Sequence, residues 1–125
     1  MKLIKVIMRP EKTFELKDVL SGIGYHGITV KECSGFGEHK TTIKQLYRGI
    51  AYDTRSDLFK RVELEFIVHD DKVESIVKTI RNVASTDKGG DGRIYIIPVE
   101  DAIHIHSGDT HSGFMDEKLL ESKRQ

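Results

Sequence analysis

Apolar residues recur along this chain at two spacings, every second position or every third to fourth, and the switches between them mark the elements. Leu3 to Met8 is dense in apolar and β-branched residues and predicts a buried strand. Pro10 suits the first turn of a helix, and Leu16, Val19, Leu20 and Ile23 follow at i, i+3, i+4 and i+7 on one face. Gly22 and Gly24 end that helix. Ile28 and Val30 alternate with Thr29 and Lys31, which predicts a second strand over 25–33. Residues 38–57 show no sustained period. A loop of about 20 residues inside a compact domain is a functional feature when strong strands flank it. Alternation returns over 61–68, with Val62, Leu64, Phe66 and Val68 on one face and Arg61, Glu63, Glu65 and Ile67 on the other.

Asp71 and Glu74 have the spacing of a capping box, and Val73, Ile76, Val77, Ile80 and Ala84 form the stripe of a second helix. A glycine cluster stops it. Ile94 to Val99 predicts a fourth strand, Ala102 to His106 a short fifth extended piece, and 115–120 a short helix in a polar tail. The order strand, helix, strand, strand, helix, strand is the split βαβ pattern of a ferredoxin-like α+β fold, with an antiparallel sheet and helices on one face. Something must cover the other face, and the simplest cover is another copy of the chain.

Composition narrows the picture. A length of 125 residues fits one domain, and 38% apolar against 32% charged residues implies a thin core supplemented by oligomerisation. Twenty basic and twenty acidic residues cancel, so no net field favours nucleic acid or membrane. The single cysteine, Cys33, excludes an internal disulfide and fits a reducing compartment. With no signal region and no apolar run near ~18 residues, a cytoplasmic protein is expected. No nucleophile stands beside a base, so no catalytic constellation is visible and the chain reads as a non-enzyme.

Two glycine clusters carry the candidate chemistry, Ser34-Gly35-Phe36-Gly37 and Lys88-Gly89-Gly90-Asp91-Gly92-Arg93. Successive backbone N–H groups in such turns form anion-binding concavities. Between them lies Tyr47-Arg48-Gly49-Ile50-Ala51-Tyr52. Taken in order, Lys31 to Gly37, this tyrosine motif and Thr86 to Tyr95 resemble the three signatures of the PII signal-transduction family, over residues 1–108. The remainder, 109–125, is a polar tail.

The resemblance implies a trimer that binds ATP or ADP in clefts between subunits and controls a target through the large T-loop, here about 38–57, in nitrogen or carbon metabolism. Implied targets are ammonium transporters and other membrane transporters, metabolic enzymes and nitrogenase. Implied nucleotide contacts are Gly27, Ile28, Thr29, Gly35, Phe36, Gly37, Glu65, Ile67, Gly90, Asp91, Gly92 and Arg93, with His104 and His106 on the last strand. Many members bind 2-oxoglutarate with Mg2+, which points to His39, Lys60, Arg61 and Gly89. Tyr52 falls at the position some members modify; its plain reading is a loop tyrosine that touches a partner.

Five positions depart from the family pattern. Ile50 replaces a small residue, Glu38 a basic one and His39 a glutamine, and His104 and His106 stand where the family has arginines. Histidine is mostly neutral at pH 7. The departures leave three readings for the cleft: weak nucleotide binding, pH-dependent binding, or another ligand. An accessory trimer for a transporter, binding a metal or small anion through His104 and His106 with His111 and His39 nearby, is the alternative function. The loop cations Lys40, Lys44, Arg48 and Arg55 read equally as solvating charges or as partner contacts.

Overall fold

The alternation over 61–68 becomes one of the two central strands of a four-stranded sheet. In a computed structural model of the chain, which describes residues 1–36, 41–47, 50–56 and 58–110, the strands are β1 (Lys2–Met8), β2 (Thr29–Gly35), β3 (Thr41–Tyr47), β4 (Ile50–Ser56), β5 (Phe59–Val68) and β6 (Gly92–Pro98). The helices are α1 (Thr13–Gly22) and α2 (Val73–Ala84). The main sheet has the order β2-β5-β1-β6 with every neighbouring pair antiparallel. α1 connects β1 to β2 and α2 connects β5 to β6, which is the ferredoxin-like α+β arrangement.

Pleating sorts each strand into two rows. Ile4, Val6 and Met8 of β1 and Val62, Leu64, Phe66 and Val68 of β5 are buried together with Leu16, Leu20, Ile76, Ile80 and Ala84 of the helices. Full burial of one such aliphatic side chain is worth about 1.5–3 kcal/mol, so this single cluster is the main source of stability. Ile23, expected as the fourth member of the α1 stripe, is instead 55% exposed. It is the C-cap residue, past the last helical turn. The Tyr25 N–H bonds the Leu20 carbonyl and the Gly24 N–H bonds the Ser21 carbonyl, the Schellman closure, with Gly24 at φ +109°. That closure turns the chain and packs Tyr25 on Phe66, ring centroids 5.4 Å apart. β2 therefore starts at Thr29, four residues later than the sequence suggested.

Three further expectations are corrected. The Asp71/Glu74 capping box does not form. Both helices are entered through a 3-10 turn, Pro10–Lys12 and Asp70–Lys72, which places Asp71 inside a turn rather than at a cap. The hydroxyls of Thr13 and Ser75 donate back to the carbonyls of Pro10 and Lys72, and the Asp70 carboxylate accepts from the N-terminal ammonium at 2.7 Å. The 38–57 segment is not all loop. β3 and β4 pair antiparallel from Thr41↔Ser56 to Tyr47↔Ile50, joined through residues 48–49. Periodicity reports burial of one face on a core. Here the informative signal was β-branched and aromatic content, Thr41, Thr42, Ile43, Tyr47, Ile50, Tyr52 and Thr54. Residues 102–106 form no strand. A turn at 105–107 is closed by bonds from the Gly108 N–H to the His104 carbonyl and from the His104 N–H to the Asp109 carbonyl. The helix expected over 115–120 lies outside the described residues.

The sheet face away from the helices carries charge. Lys5 Nζ lies 3.2 Å from Glu63 and 3.4 Å from Glu65, and Lys31 lies 3.7 Å from Glu65. Cross-strand register explains this, since Lys5 opposes Glu65 and Lys31 opposes Glu63. Hydrogen bonding to Glu63 raises the Lys5 pKa, and the bond from Lys5 lowers that of Glu63.

Two predictions follow from the packing of β1. A Cβ on Gly92, at φ +112°, would sit 1.7 Å from the Ile7 carbonyl oxygen. Gly92→Ala should cost at least about 2–3 kcal/mol in urea unfolding; an unchanged midpoint would mean that β1 and β6 are not paired as described. Lys5→Met should flatten the pH profile of stability at both ends. The Glu63 contribution is complete above the unfolded carboxyl value, about 4.3, and is lost as pH falls through its lowered folded value. The Lys5 contribution is complete below about 10.4 and is lost as pH rises through its raised folded value. Urea midpoints at pH 3, 6, 9 and 11 that fall equally in both proteins would remove this pair as the cause.

Candidate functional site

The candidate site is built around the turn between α2 and β6. The Asp91 carboxylate organises it. Oδ2 accepts from the Thr86 N–H at 2.8 Å, and Oδ1 accepts from the Thr86 hydroxyl and from Arg9 Nε, the latter at 3.2 Å. The Thr86 oxygen in turn accepts the Lys88 N–H. Above all the Thr86 hydroxyl, then the Thr86 N–H and the Arg9 guanidinium, hold the Asp91 carboxyl below the usual carboxylate range against the opposing effect of burial. Between these anchors Gly89 and Gly90 both lie at φ +69°. Their carbonyls are gripped by two arginines, Gly89 by Arg9 at 2.5 Å and Gly90 by Arg61 at 3.2 Å.

Arg61 is positioned by its strand. It is the third residue of β5, donates to the Lys60 carbonyl at 2.9 Å, and lies over the Phe59 ring with its guanidinium carbon 5.3 Å from the centroid. The register pairs Gly35 with Phe59, so the end of β2 and the start of β5 meet beside the glycine turn. A groove of about 450 Å³ results, bringing Gly35 and Phe36 together with Arg61, Gly90, Asp91, Gly92 and Arg93 over a floor that includes Ile7, Phe59 and Tyr95. A second groove of about 400 Å³, mostly apolar, runs between α2 and β6 and shares Asp91, Gly92 and Arg93. Arg93 is exposed and has no ion-pair partner among the described residues.

The sequence-derived set thus divides in two. Gly35, Phe36, Gly90, Asp91, Gly92 and Arg93 share one groove with Arg61. Gly27, Ile28, Thr29, Glu65 and Ile67 do not line it. Thr29 opposes Glu65, Ile67 opposes Leu3, and Glu65 is held by the two lysines. His104 and His106 are exposed beyond β6, in the stretch that turns rather than extends, so alternation along a strand does not put them on one face. Lys60 opposes Ser34 and Gly89 accepts from Arg9. Tyr52 lies on β4 opposite Gln45. Gly37, Glu38, His39 and His111 lie outside the described residues. Among the described residues no three His, Cys, Asp or Glu side chains come together as metal donors.

Arg9 was not singled out from the sequence, nor was Thr86 beyond its place in a motif. Arg9 precedes Pro10 at the end of β1 and meets Asp91 across 82 positions of chain. No local spacing announces such a contact. The nearer signal was Asp91 itself, because a carboxylate between two glycines requires donors.

The profile of the family Nitrogen regulatory protein P-II matches residues 1–109. The chain is 44% identical over 110 residues to Nitrogen regulatory protein P-II of Cereibacter sphaeroides, covering 88% of this chain and 96% of that protein. It is 40% identical over the same length to Nitrogen regulatory protein P-II of Rhizobium meliloti, with the same coverage. Nitrogen regulatory protein P-II 2 of Methanothermobacter thermautotrophicus is also 40% identical over 110 residues, 88% of this chain and 93% of that protein. A fold, a glycine turn and a family profile that coincide over the same residues establish that this chain belongs to the P-II family of nitrogen regulatory proteins.

Proposed function

We propose that this P-II family member is a nucleotide-responsive regulator, not an enzyme. It binds ATP or ADP at the groove beside Gly90 to Arg93 and passes the ligand state to a target protein through the 38–57 segment. The observation that carries this reading is the groove itself, which joins Gly35 at the end of β2 and the Gly90–Gly92 turn to Arg61 and to Arg93, a residue without an ion pair among those described. Backbone N–H groups and a planar guanidinium suit phosphate oxygens.

The other half of the residue set gives the assembly its role. Gly27, Ile28, Thr29, Glu65, Ile67, His104 and His106 lie away from this groove, so in the proposed homotrimer a neighbouring subunit supplies them. The charged face of the sheet, bordered by Leu3 and Ile67, is the surface such a neighbour would cover. His39, Lys60, Arg61 and Gly89 are the proposed 2-oxoglutarate contacts, with Mg2+ held from the same segment.

The loop reading has a geometric basis. Residues 38–57 leave the sheet just past Gly35 and re-enter just before Phe59, and those two residues are paired at the groove wall. A ligand in the groove therefore meets both ends of the segment. Such a ligand shifts the segment only as far as it binds one arrangement better than the other. The target is proposed to be a transporter or a nitrogen-metabolism enzyme in the cytoplasm. Among the described residues no helix is long and apolar enough to cross a membrane.

Calorimetric titration with ATP, ADP and AMP at pH 6 and pH 8, with and without 2-oxoglutarate and Mg2+, tests the reading. Micromolar ATP or ADP binding is expected. Arg93→Ala should weaken it at least tenfold, ~1.4 kcal/mol. Absence of nucleotide binding at either pH would overturn the proposal, and unchanged affinity in Arg93→Ala would displace the phosphates from this turn.

A further inference from the structure

An anion cradle with an aspartate at its centre is electrostatically self-defeating unless the aspartate is neutralised. Asp91 lines the groove between Gly90 and Gly92. A phosphate placed there would meet a carboxylate, which repels it.

Thr86 satisfies the geometry of Asp91 through its N–H and hydroxyl, but both are neutral donors and leave the negative charge in place. Arg9 is the one cation in contact with that carboxylate among the described residues. Its Nε reaches Oδ1 at 3.2 Å while a terminal nitrogen holds the Gly89 carbonyl at 2.5 Å. One planar guanidinium thus engages a side-chain charge and the turn backbone together, which a fork of donors can do and a point charge cannot do as well. Arg61 holds the Gly90 carbonyl in the same way. With Asp91 balanced by Arg9, the charges left for a ligand are Arg61 and Arg93.

We propose that Arg9 is the charge-balancing and positioning residue of this cradle: it cancels Asp91 and engages the Gly89 carbonyl, so that the turn can accept phosphate beside Arg93. The inference rests on the nucleotide reading above and adds to it a residue from the far end of β1 that does not itself touch the ligand.

The test is calorimetric titration of the full chain with ATP and with ADP at pH 7.5 and fixed ionic strength, for R9Q, R9K, D91N and the double variant R9Q/D91N, with thermal unfolding as the control for folding. R9Q should weaken ATP at least tenfold and ADP less, because the uncancelled carboxylate acts on phosphate charge. R9K, which retains the charge, should recover most of the loss. R9Q/D91N should bind ATP at least about threefold more tightly than R9Q, since removing both charges restores the balance. A purely structural role for Arg9 predicts instead that the double variant is no better than R9Q. Equal affinity in R9Q and the unsubstituted chain, or no recovery in the double variant, would overturn the inference while the nucleotide reading stands. No binding by the unsubstituted chain would overturn that reading and this inference with it. Should R9Q fail to fold, the same comparison is made with R9M and R9M/D91N: tighter ATP binding by the double variant supports the inference, and no gain overturns it.

Discussion

The close approach of β6 to β1 is the constraint on which the rest depends. β1 is central, hydrogen-bonded to β5 on one side and β6 on the other. Where β6 begins, the chain passes so near the Ile7 carbonyl that only glycine fits at position 92. That contact fixes where the preceding turn must lie. It places Asp91 within reach of Arg9, one residue past the end of β1, and of Thr86, two residues past the end of α2. Three segments are thereby tied at one carboxylate, and the edge of the groove is set by the same register that builds the sheet.

The two faces of the sheet divide the labour between folding and recognition. One face supplies the buried rows that meet α1 and α2, and no charged residue is buried there among those described. The other holds a ladder of lysines and glutamates whose members are partly exposed. Ion pairs of this exposure contribute little to stability, about 0–1 kcal/mol each. Their value is in register and specificity, because shifting β1 by one residue against β5 would bring Lys5 out of line with Glu65 and turn the buried row outward. The face is polar enough to remain in water and patterned enough to match a partner, which is what the proposed trimer requires of it.

Much of this architecture was legible in the sequence because burial imposes a period. The rows of β1 and β5 and the stripe of α2 were readable for that reason, and the glycine turn was visible because glycine clusters are rare inside regular structure. What escaped has three physical sources. The hairpin of β3 and β4 was missed because a two-stranded ribbon forms through its own ladder and need not repeat an apolar face. The expected strand over 102–106 was two histidines alternating with isoleucines, a true pattern overridden by turn closure around Gly108. Arg9 was missed because its partner is supplied by topology, and no spacing within a window can report a contact across 82 residues.

Those same features bear on how a ligand in the groove could be felt elsewhere. The 38–57 segment is attached at both ends to residues of the groove wall, through Gly35 on one side and Phe59 with Arg61 on the other. Arg61 holds the Gly90 carbonyl and is stacked on Phe59, so a phosphate that draws Arg61 away acts on the turn and on the root of the hairpin in one movement. The Arg9 clasp would resist that movement on the opposite side, because Arg9 follows directly on β1, one of the two central strands of the sheet. A cation paired with a carboxylate on one side, and on the other a cation without an ion pair among the described residues, is the asymmetry the proposed switch needs. In the proposed regulator the ligand's preference would then be expressed at the base of the 38–57 segment, and not in the core that keeps the protein folded.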